Sequence, residues 1–292
     1  MKFDLPSGIS LIPNGAFGQE SYGATYLVEG EELALIDPGP STSFSRLIDW
    51  FERNSFSISR LNHVILTHIH LDHAGASGRL VEELSDLKVY VHSRGGPHLV
   101  DPSELLASVE DATGDRFPEY GTLKPIPEDR IVPLEEETSL DIGSRELLAL
   151  PTPGHAPHHI AYQDRETGAI FTGDSAGLYL EGELIPATTP PSFDLEKSLE
   201  SLEKIKELSP SVLLYSHFGS GETPDKLIEE YEEILVEWVE LISNLEKKYE
   251  EGERFDEEVI NRKEDWLDRG LAREELIMNV RGVQRYLSWK GS

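Results

Sequence analysis

The chain has 292 residues and no cysteine, which excludes disulfides, thiolate metal sites and a cysteine nucleophile and leaves the compartment undecided on redox grounds. Its 55 acidic and 26 basic residues give a formal net charge of −29, which argues against a nucleic-acid partner, because phosphate backbones are held by Lys and Arg. The N-terminus shows no sustained apolar segment and no apolar stretch elsewhere reaches membrane-spanning length, so the expectation is a soluble cytoplasmic protein acting on a small molecule, with no membrane partner.

In chain order, residues 26–28 and 32–37 read as a hairpin around Glu29-Gly30-Glu31, and residues 43–51 have helical spacing. Val64-Ile65-Leu66 reads as a buried strand that runs into Thr67-His68-Ile69-His70-Leu71-Asp72-His73-Ala74-Gly75. Three histidines and a carboxylate in six positions are what a metal site asks for, since imidazole and carboxylate are ligands that Zn²⁺, Fe and Mn accept, and their density suggests more than one ion. Ala74-Gly75-Ala76 opens a helix that continues to Leu84, Lys88 to His92 is the next strand, and residues 94–133 read as a helical insertion flanking the site. Residues 138–141 and 146–150 continue into a second sheet, and His155 follows a Pro/Gly turn that aims it without strain.

Residues 161–172 read as a hairpin through Asp164-Arg165-Glu166-Thr167-Gly168 that ends in Gly173-Asp174, and Val212 to Tyr215 is a strand ending in Ser216-His217. Between them, residues 175–193 sustain no period, and the expectation is an irregular pocket wall with Tyr179 and Phe193 as substrate contacts, followed by a helix over 195–208. Four separated segments thus each deliver ligands at a strand tip. From Thr223 the pattern turns helical, with helices expected over 225–250, 256–267 and 273–287 and Thr223-Pro224 as the first start signal. This divides the chain into a catalytic unit, 1–222, and a C-terminal helical extension, 223–292, whose Trp238, Trp266 and Trp289 suit either a homodimer face or packing on the catalytic unit. His63, His92, His98 and His158 read as surface or core residues.

The ordered set His68-x-His70-x-Asp72-His73, His155, Asp174 and His217, with Leu35-Ile36-Asp37-Pro38-Gly39 upstream, resembles the metallo-β-lactamase superfamily over roughly residues 8–220, nearest to its glyoxalase II and lactonase-like hydrolases. The resemblance implies an α/β fold, a four-layer αβ/βα sandwich with the metal site at one edge. It implies two divalent ions, zinc first with Fe or Mn as alternatives: His68, His70 and His155 on one, Asp72, His73 and His217 on the other, and Asp174 bridging. Asp37, otherwise a turn residue before Pro38-Gly39, becomes a carboxylate that orients a ligand, and His159 matches a histidine that supports the ligands from behind. The implied chemistry is hydrolysis of an ester, lactone or thioester carbonyl by a hydroxide shared between the ions, with promiscuity expected and Asp72 or Asp174 carrying the proton to the leaving group.

Glyoxalase II holds its anionic glutathione arm with basic side chains on C-terminal helices, and no matching clamp stands out among Arg262, Lys263, Arg269 and Arg273, so a neutral lactone or ester fits the acidity better. Two alternatives compete. A one-iron persulfide dioxygenase would not use the full seven-ligand set, and a non-catalytic metal-containing binding module would be expected to have a closed four-ligand site.

Overall fold

The computed structural model describes residues 4–249 and 252–291. Its first sheet is ordered β1 (Ile9–Pro13), β2 (Ala24–Glu29), β3 (Leu33–Ile36), β4 (Leu61–Ile65), β5 (Lys88–His92) and β6 (Ile131–Leu134), antiparallel through β3 and parallel from β3 to β6. Alternation along the strands separates two cores: Tyr26, Val28, Ala34, Ile36 and Ile65 point inward, while Leu27, Leu33, Leu35 and Val64 point to the other face. That outer face is covered by α1 (Phe44–Arg53) through Phe44, Leu47 and Phe51, and, beyond the short α2 (Leu71–Ala74), by α3 (Ser77–Glu83) through Leu80 and Val81. The insertion after β5 is helical, with α4 (Gly96–Val100), α5 (Ser103–Thr113) and α6 (Phe117–Tyr120), but its end pairs as β6, which the proline at position 133 obscures in the sequence.

The second sheet comprises β7 (Thr138–Asp141), β8 (Glu146–Pro151), β9 (Ile160–Asp164) and β10 (Ala169–Gly173). A separate hairpin, β11 (Leu178–Leu180) with β12 (Glu183–Ile185), follows, and then α7 (Leu195–Glu207), β13 (Val212–Tyr215) and β14 (Gly219–Gly221). The order is β14-β13-β10-β9-β8-β7, and only the β10–β13 pair is parallel. The two sheets face each other with helices outside, the expected four-layer sandwich. The segment after Asp174 corrects the expectation of an irregular loop: three-residue strands are too short to show a period.

Beyond Thr223 lie α8 (Pro224–Glu246), α9 (Glu253–Arg262), α10 (Glu264–Asp268) and α11 (Arg273–Lys290). The single helix expected over 256–267 is two, broken at Lys263, where φ is −125°; the far end of the helix expected over 225–250 includes Glu250, which lies outside the described residues. Ile228, Trp238, Val259, Leu276 and Val283 join the same core as the second sheet. Trp238 and Trp266 are buried and pack on each other at 5.1 Å between ring centroids, so these two are internal to the chain, while Trp289 is 67% exposed.

Parallel pairing of β3 with β4 and of β10 with β13 brings four carboxyl ends to one edge, where Asp37, Thr67-His68, Asp174 and Ser216-His217 emerge. At the opposite edge Arg145 ties the sheets together. Its Nε and Nη2 donate to the two oxygens of buried Asp164, both at 2.8 Å, while Nη2 also donates to the Ser7 carbonyl at 3.0 Å and Nη1 to the Glu29 carbonyl at 3.3 Å.

Arg145→Met would leave Asp164 buried without its cation, and a loss of about 3–5 kcal/mol of stability is expected in urea unfolding, largely recovered by Arg145→Met combined with Asp164→Leu. Burial raises the Asp164 pKa, but hydrogen bonds from Arg145 and Thr167 outweigh it and hold the carboxyl below its ordinary value. The contribution is therefore present above the unfolded carboxylate pKa of about 4 and is lost as pH falls through the folded value, so the Arg145→Met deficit should shrink in acid.

Candidate metal centre

The seven side chains singled out by spacing converge as two groups of donor atoms, His68, His70, His155 and Asp174 in one and Asp72, His73 and His217 in the other, with the atoms of each group within 4.8 Å of one another. His70 precedes α2, and Asp72 and His73 lie in its first turn, so the helix begins earlier than the sequence suggests. Asp174 stands between the groups. Its Oδ2 faces His155 Nε2 at 3.4 Å and His68 Nε2 at 3.9 Å, and its Oδ1 faces His73 Nε2 at 3.3 Å and His217 Nε2 at 3.7 Å. Asp72 Oδ2 lies 3.4 Å from His217 Nε2 and 3.7 Å from His73 Nε2.

Hydrogen bonds on the far side of each ring assign the tautomers. His155 Nδ1 donates to the Ala187 carbonyl at 2.9 Å, His217 Nδ1 to the Tyr22 carbonyl at 3.1 Å, and His73 Nδ1 to Asp37 Oδ2 at 2.9 Å. Thr67 Oγ1 donates to Asp37 Oδ2, so it accepts from His68 Nδ1 at 3.0 Å. All four Nε2 atoms therefore present lone pairs to the centre. His73 Nε2 and His217 Nε2 are 3.2 Å apart, and His68 Nε2 and His155 Nε2 lie 2.9 and 3.1 Å from His70 Nδ1.

The His73 and His217 lone pairs, held this close, repel unless a cation sits between them, and Asp174 Oδ1 is buried with no hydrogen-bond partner among the described residues. The donor set fits divalent metal ions on both counts, an imidazole-rich group and a group with a carboxylate of its own.

Without a metal, the two groups differ electrostatically. Burial pushes His68 well below the ordinary imidazole value and His70 to about 3, helped in each case by neighbouring histidines. Burial opposes protonation of His73 and His217 as well, but Asp174 first, then Asp72, reverses the direction and raises both. Burial likewise opposes ionisation of Asp72 and Asp174, yet His73 above all holds both carboxyls well below the usual range. The second group attracts positive charge, as a proton or as an ion.

Asp37 is more than the turn residue its Pro-Gly context allows. Its carboxylate accepts from Thr67 N–H at 2.8 Å, Thr67 Oγ1 at 2.7 Å, His73 Nδ1 at 2.9 Å and Ser216 Oγ at 3.0 Å. His159 accepts the Asp174 N–H on Nε2 at 3.1 Å, so its Nδ1 donates to Thr152 Oγ1 at 2.8 Å. It holds the backbone of Asp174 and lies outside both donor groups. The residue before Asp174 has to be glycine, because at φ +52° a Cβ on Gly173 would sit 2.5 Å from His159 Nε2 and 2.7 Å from Thr67. His63, His92, His98 and His158 belong to neither group.

A cleft of about 480 Å³ opens onto His70, Asp72, His155, Asp174 and His217, walled mostly by apolar side chains such as Leu105, Val109, Leu178, Leu271 and Met278. Tyr179 and Phe193, expected there as substrate contacts, line other surfaces. Strand alternation in β11 turns Leu178 into the cleft and Tyr179 away from it, onto the Tyr215 ring at 5.0 Å. Phe193 is buried against the Tyr286 ring at 5.6 Å. The polar cleft residues Tyr22 and Glu275, joined by a 2.8 Å hydrogen bond, went unforeseen, because they lie far apart in sequence and carry no motif.

The sequence model of the metallo-beta-lactamase superfamily matches residues 18–217. A metallo-beta-lactamase fold-containing protein of Sulfurisphaera tokodaii is 34% identical over 229 residues, 77% of this chain and 82% of that protein. A hydroxyacylglutathione hydrolase of Haemophilus influenzae is 30% identical over 217 residues, 74% of this chain and 92% of that protein. Among solved structures, an archaeal metallo-beta-lactamase superfamily protein from Sulfolobus tokodaii is similar with a TM-score of 0.70 and 29% identity, covering 96% of this chain and 99% of that one. All seven donors fall within the matched segment, and the chain belongs to the metallo-β-lactamase superfamily, with a His/Asp cluster suited to divalent metal.

Proposed function

We propose that the protein is a hydrolase with two divalent metal ions, zinc first, that cleaves esters, lactones or thioesters whose acyl part is apolar. The observation that carries this reading is the placement of Asp174, with one carboxylate oxygen toward each donor group. Ions held by the two groups would polarise a carbonyl oxygen and lower the pKa of water from about 15.7 to near 7.

The chain supplies the rest. The apolar walls exclude water and take the acyl part, so that the carbonyl is directed to the end of the cleft where Asp72, Asp174 and the ligand histidines lie. Asp72 is the carboxylate more open to the cleft, with its side chain 17% exposed against 8% for Asp174, which supports it as the group that holds a proton on its way to the leaving group.

Three of the four cationic residues singled out on the C-terminal helices are engaged by neighbours, which favours a substrate other than a glutathione thioester. Arg262 pairs with Glu258 at 2.7 Å, Lys263 lies over the Trp266 ring at 4.0 Å, and Arg269 pairs with Glu183 at 3.3 Å. The fourth, Arg273, borders a depression next to the cleft together with Arg116 and Arg281. The name of the Haemophilus influenzae relative keeps a thioester within the class to be assayed.

Elemental analysis of metal-replete protein is expected to give two ions per chain, and Asp174→Ala to lower that content and slow every substrate together by at least about a hundredfold. A single saturating ion, or oxygen consumption with a persulfide and no hydrolysis, would reject the reading. Metal-replete protein that turns over nothing in a panel of lactones, thioesters and aryl esters would favour the binding module.

Val109→Trp, which fills the cleft wall away from the donors, should raise KM for long-chain aryl esters about tenfold relative to acetate esters while metal content stays the same. Equal effects on short and long chains would contradict the placement of the acyl group.

A further inference from the structure

We propose that one face of α11 positions a ligand in each donor group, so that the C-terminal extension is part of the metal site. The inference rests on the reading that both groups hold ions. Glu275, Asn279 and Gly282 fall at i, i+4 and i+7 on α11, which places them on one face, and all three are buried.

Asn279 and Gly282 hold the segment that orients His155. The Thr188 N–H donates to Asn279 Oδ1 at 2.6 Å, and Thr188 Oγ1 donates to the Asn279 carbonyl at 2.9 Å. The Ala187 carbonyl, which accepts from His155 Nδ1, belongs to the same peptide unit as the Thr188 N–H. A peptide unit is planar and rigid, so fixing its N–H from one side fixes where its carbonyl points on the other. The plane therefore carries the position of α11 to the imidazole. At the next peptide the helix comes in backbone to backbone: a Cβ on Gly282 would fall 1.6 Å from the Thr188 carbonyl oxygen. From α8, Trp238 Nε1 donates to Thr188 Oγ1 at 3.0 Å, and the Tyr231 hydroxyl accepts the Ala187 N–H at 3.3 Å.

One turn earlier, Glu275 holds the residue that orients His217. The Tyr22 hydroxyl donates to Glu275 Oε2 at 2.8 Å, and the Tyr22 carbonyl accepts from His217 Nδ1 at 3.1 Å. The Tyr22 ring also meets the His217 ring edge-on at 4.9 Å. Tyr22 is thus held by α11 at its tip and holds the ligand at its backbone. Asn279 and Glu275 are positioning residues that act through Ala187 and Tyr22, one for each group.

The test loads metal-free protein with Co(II) and measures each binding step by chelator competition, with the exchangeable Nδ1–H protons of His155 and His217 followed by paramagnetic NMR. Asn279→Ala should weaken the ion held by His68, His70 and His155 by about tenfold to a hundredfold and broaden the His155 proton, with the other step changed by less than about threefold. Asn279→Asp, which keeps an acceptor for the Thr188 N–H, should restore most of the loss. Tyr22→Phe should do the converse, weakening the ion held by Asp72, His73 and His217 and broadening the His217 proton.

Wild-type protein that binds two ions, with variants that leave both steps unchanged or weaken both equally, overturns the inference alone. Wild-type protein that binds no metal overturns it together with the proposed function. Gly282→Ala is a second probe of the same contact, and if it fails to fold, the Asn279 pair decides.

Discussion

The carboxylate of Asp37 is the contact on which the site depends. It leaves β3 in the left-handed region, at φ +47°, a conformation that a non-glycine residue holds only when its surroundings over-determine it. The surroundings here are four donors: the backbone and hydroxyl of Thr67, where β4 ends, the imidazole of His73 on α2, and the hydroxyl of Ser216, where β13 ends. Thr67 and Ser216 come from different sheets, so one buried side chain joins the two halves of the sandwich at the edge where they carry their chemistry. It also orients two of the candidate donors, His73 directly and His68 through the Thr67 hydroxyl.

The same principle recurs outward. Each candidate donor histidine whose far nitrogen is engaged has its own acceptor: Asp37 for His73, the neighbouring Thr67 hydroxyl for His68, the Tyr22 carbonyl for His217 and the Ala187 carbonyl for His155. The Nε2 lone pairs of His73 and His217 can stay 3.2 Å apart because the bonds behind both rings fix their orientation. The acidity of the chain has little part in this. The buried carboxylates Asp37, Asp72 and Asp174 of the cluster are matched locally by imidazole, and most of the net charge of −29 is carried by residues on the outer helices and loops.

The cluster of candidate donors was legible because its chemistry is carried by residue type at tight spacing: His68 to His73 spans one strand exit and the first turn of a helix, and His155, Asp174 and His217 stand apart in three later segments that converge on it. Strands β2 to β5, β7 to β10 and β13, with the hairpins through Gly30 and Gly168, were legible from alternation and turn chemistry, whereas β1, β6, β11, β12 and β14 were not. What supports the donors was not. Tyr22 and Ala187 act through backbone carbonyls, which every residue has, and Glu275 and Asn279 lie on a helix whose sequence distance from the site hides the contact. Tyr179 and Phe193 misled because an aromatic in an apparently irregular segment suggests a pocket wall, whereas a three-residue strand turned one onto Tyr215 and packing buried the other. Trp238 and Trp266 suggested an interface for a similar reason, and their partner is each other.

The most direct measurement is anomalous diffraction at the zinc edge from crystals of zinc-loaded protein. Two peaks of comparable height are expected on either side of the Asp174 carboxylate, roughly 3.5–4 Å apart, with His68, His70 and His155 around one and Asp72, His73 and His217 around the other. A single peak at full loading, or a second ion held away from Asp174, would contradict this arrangement.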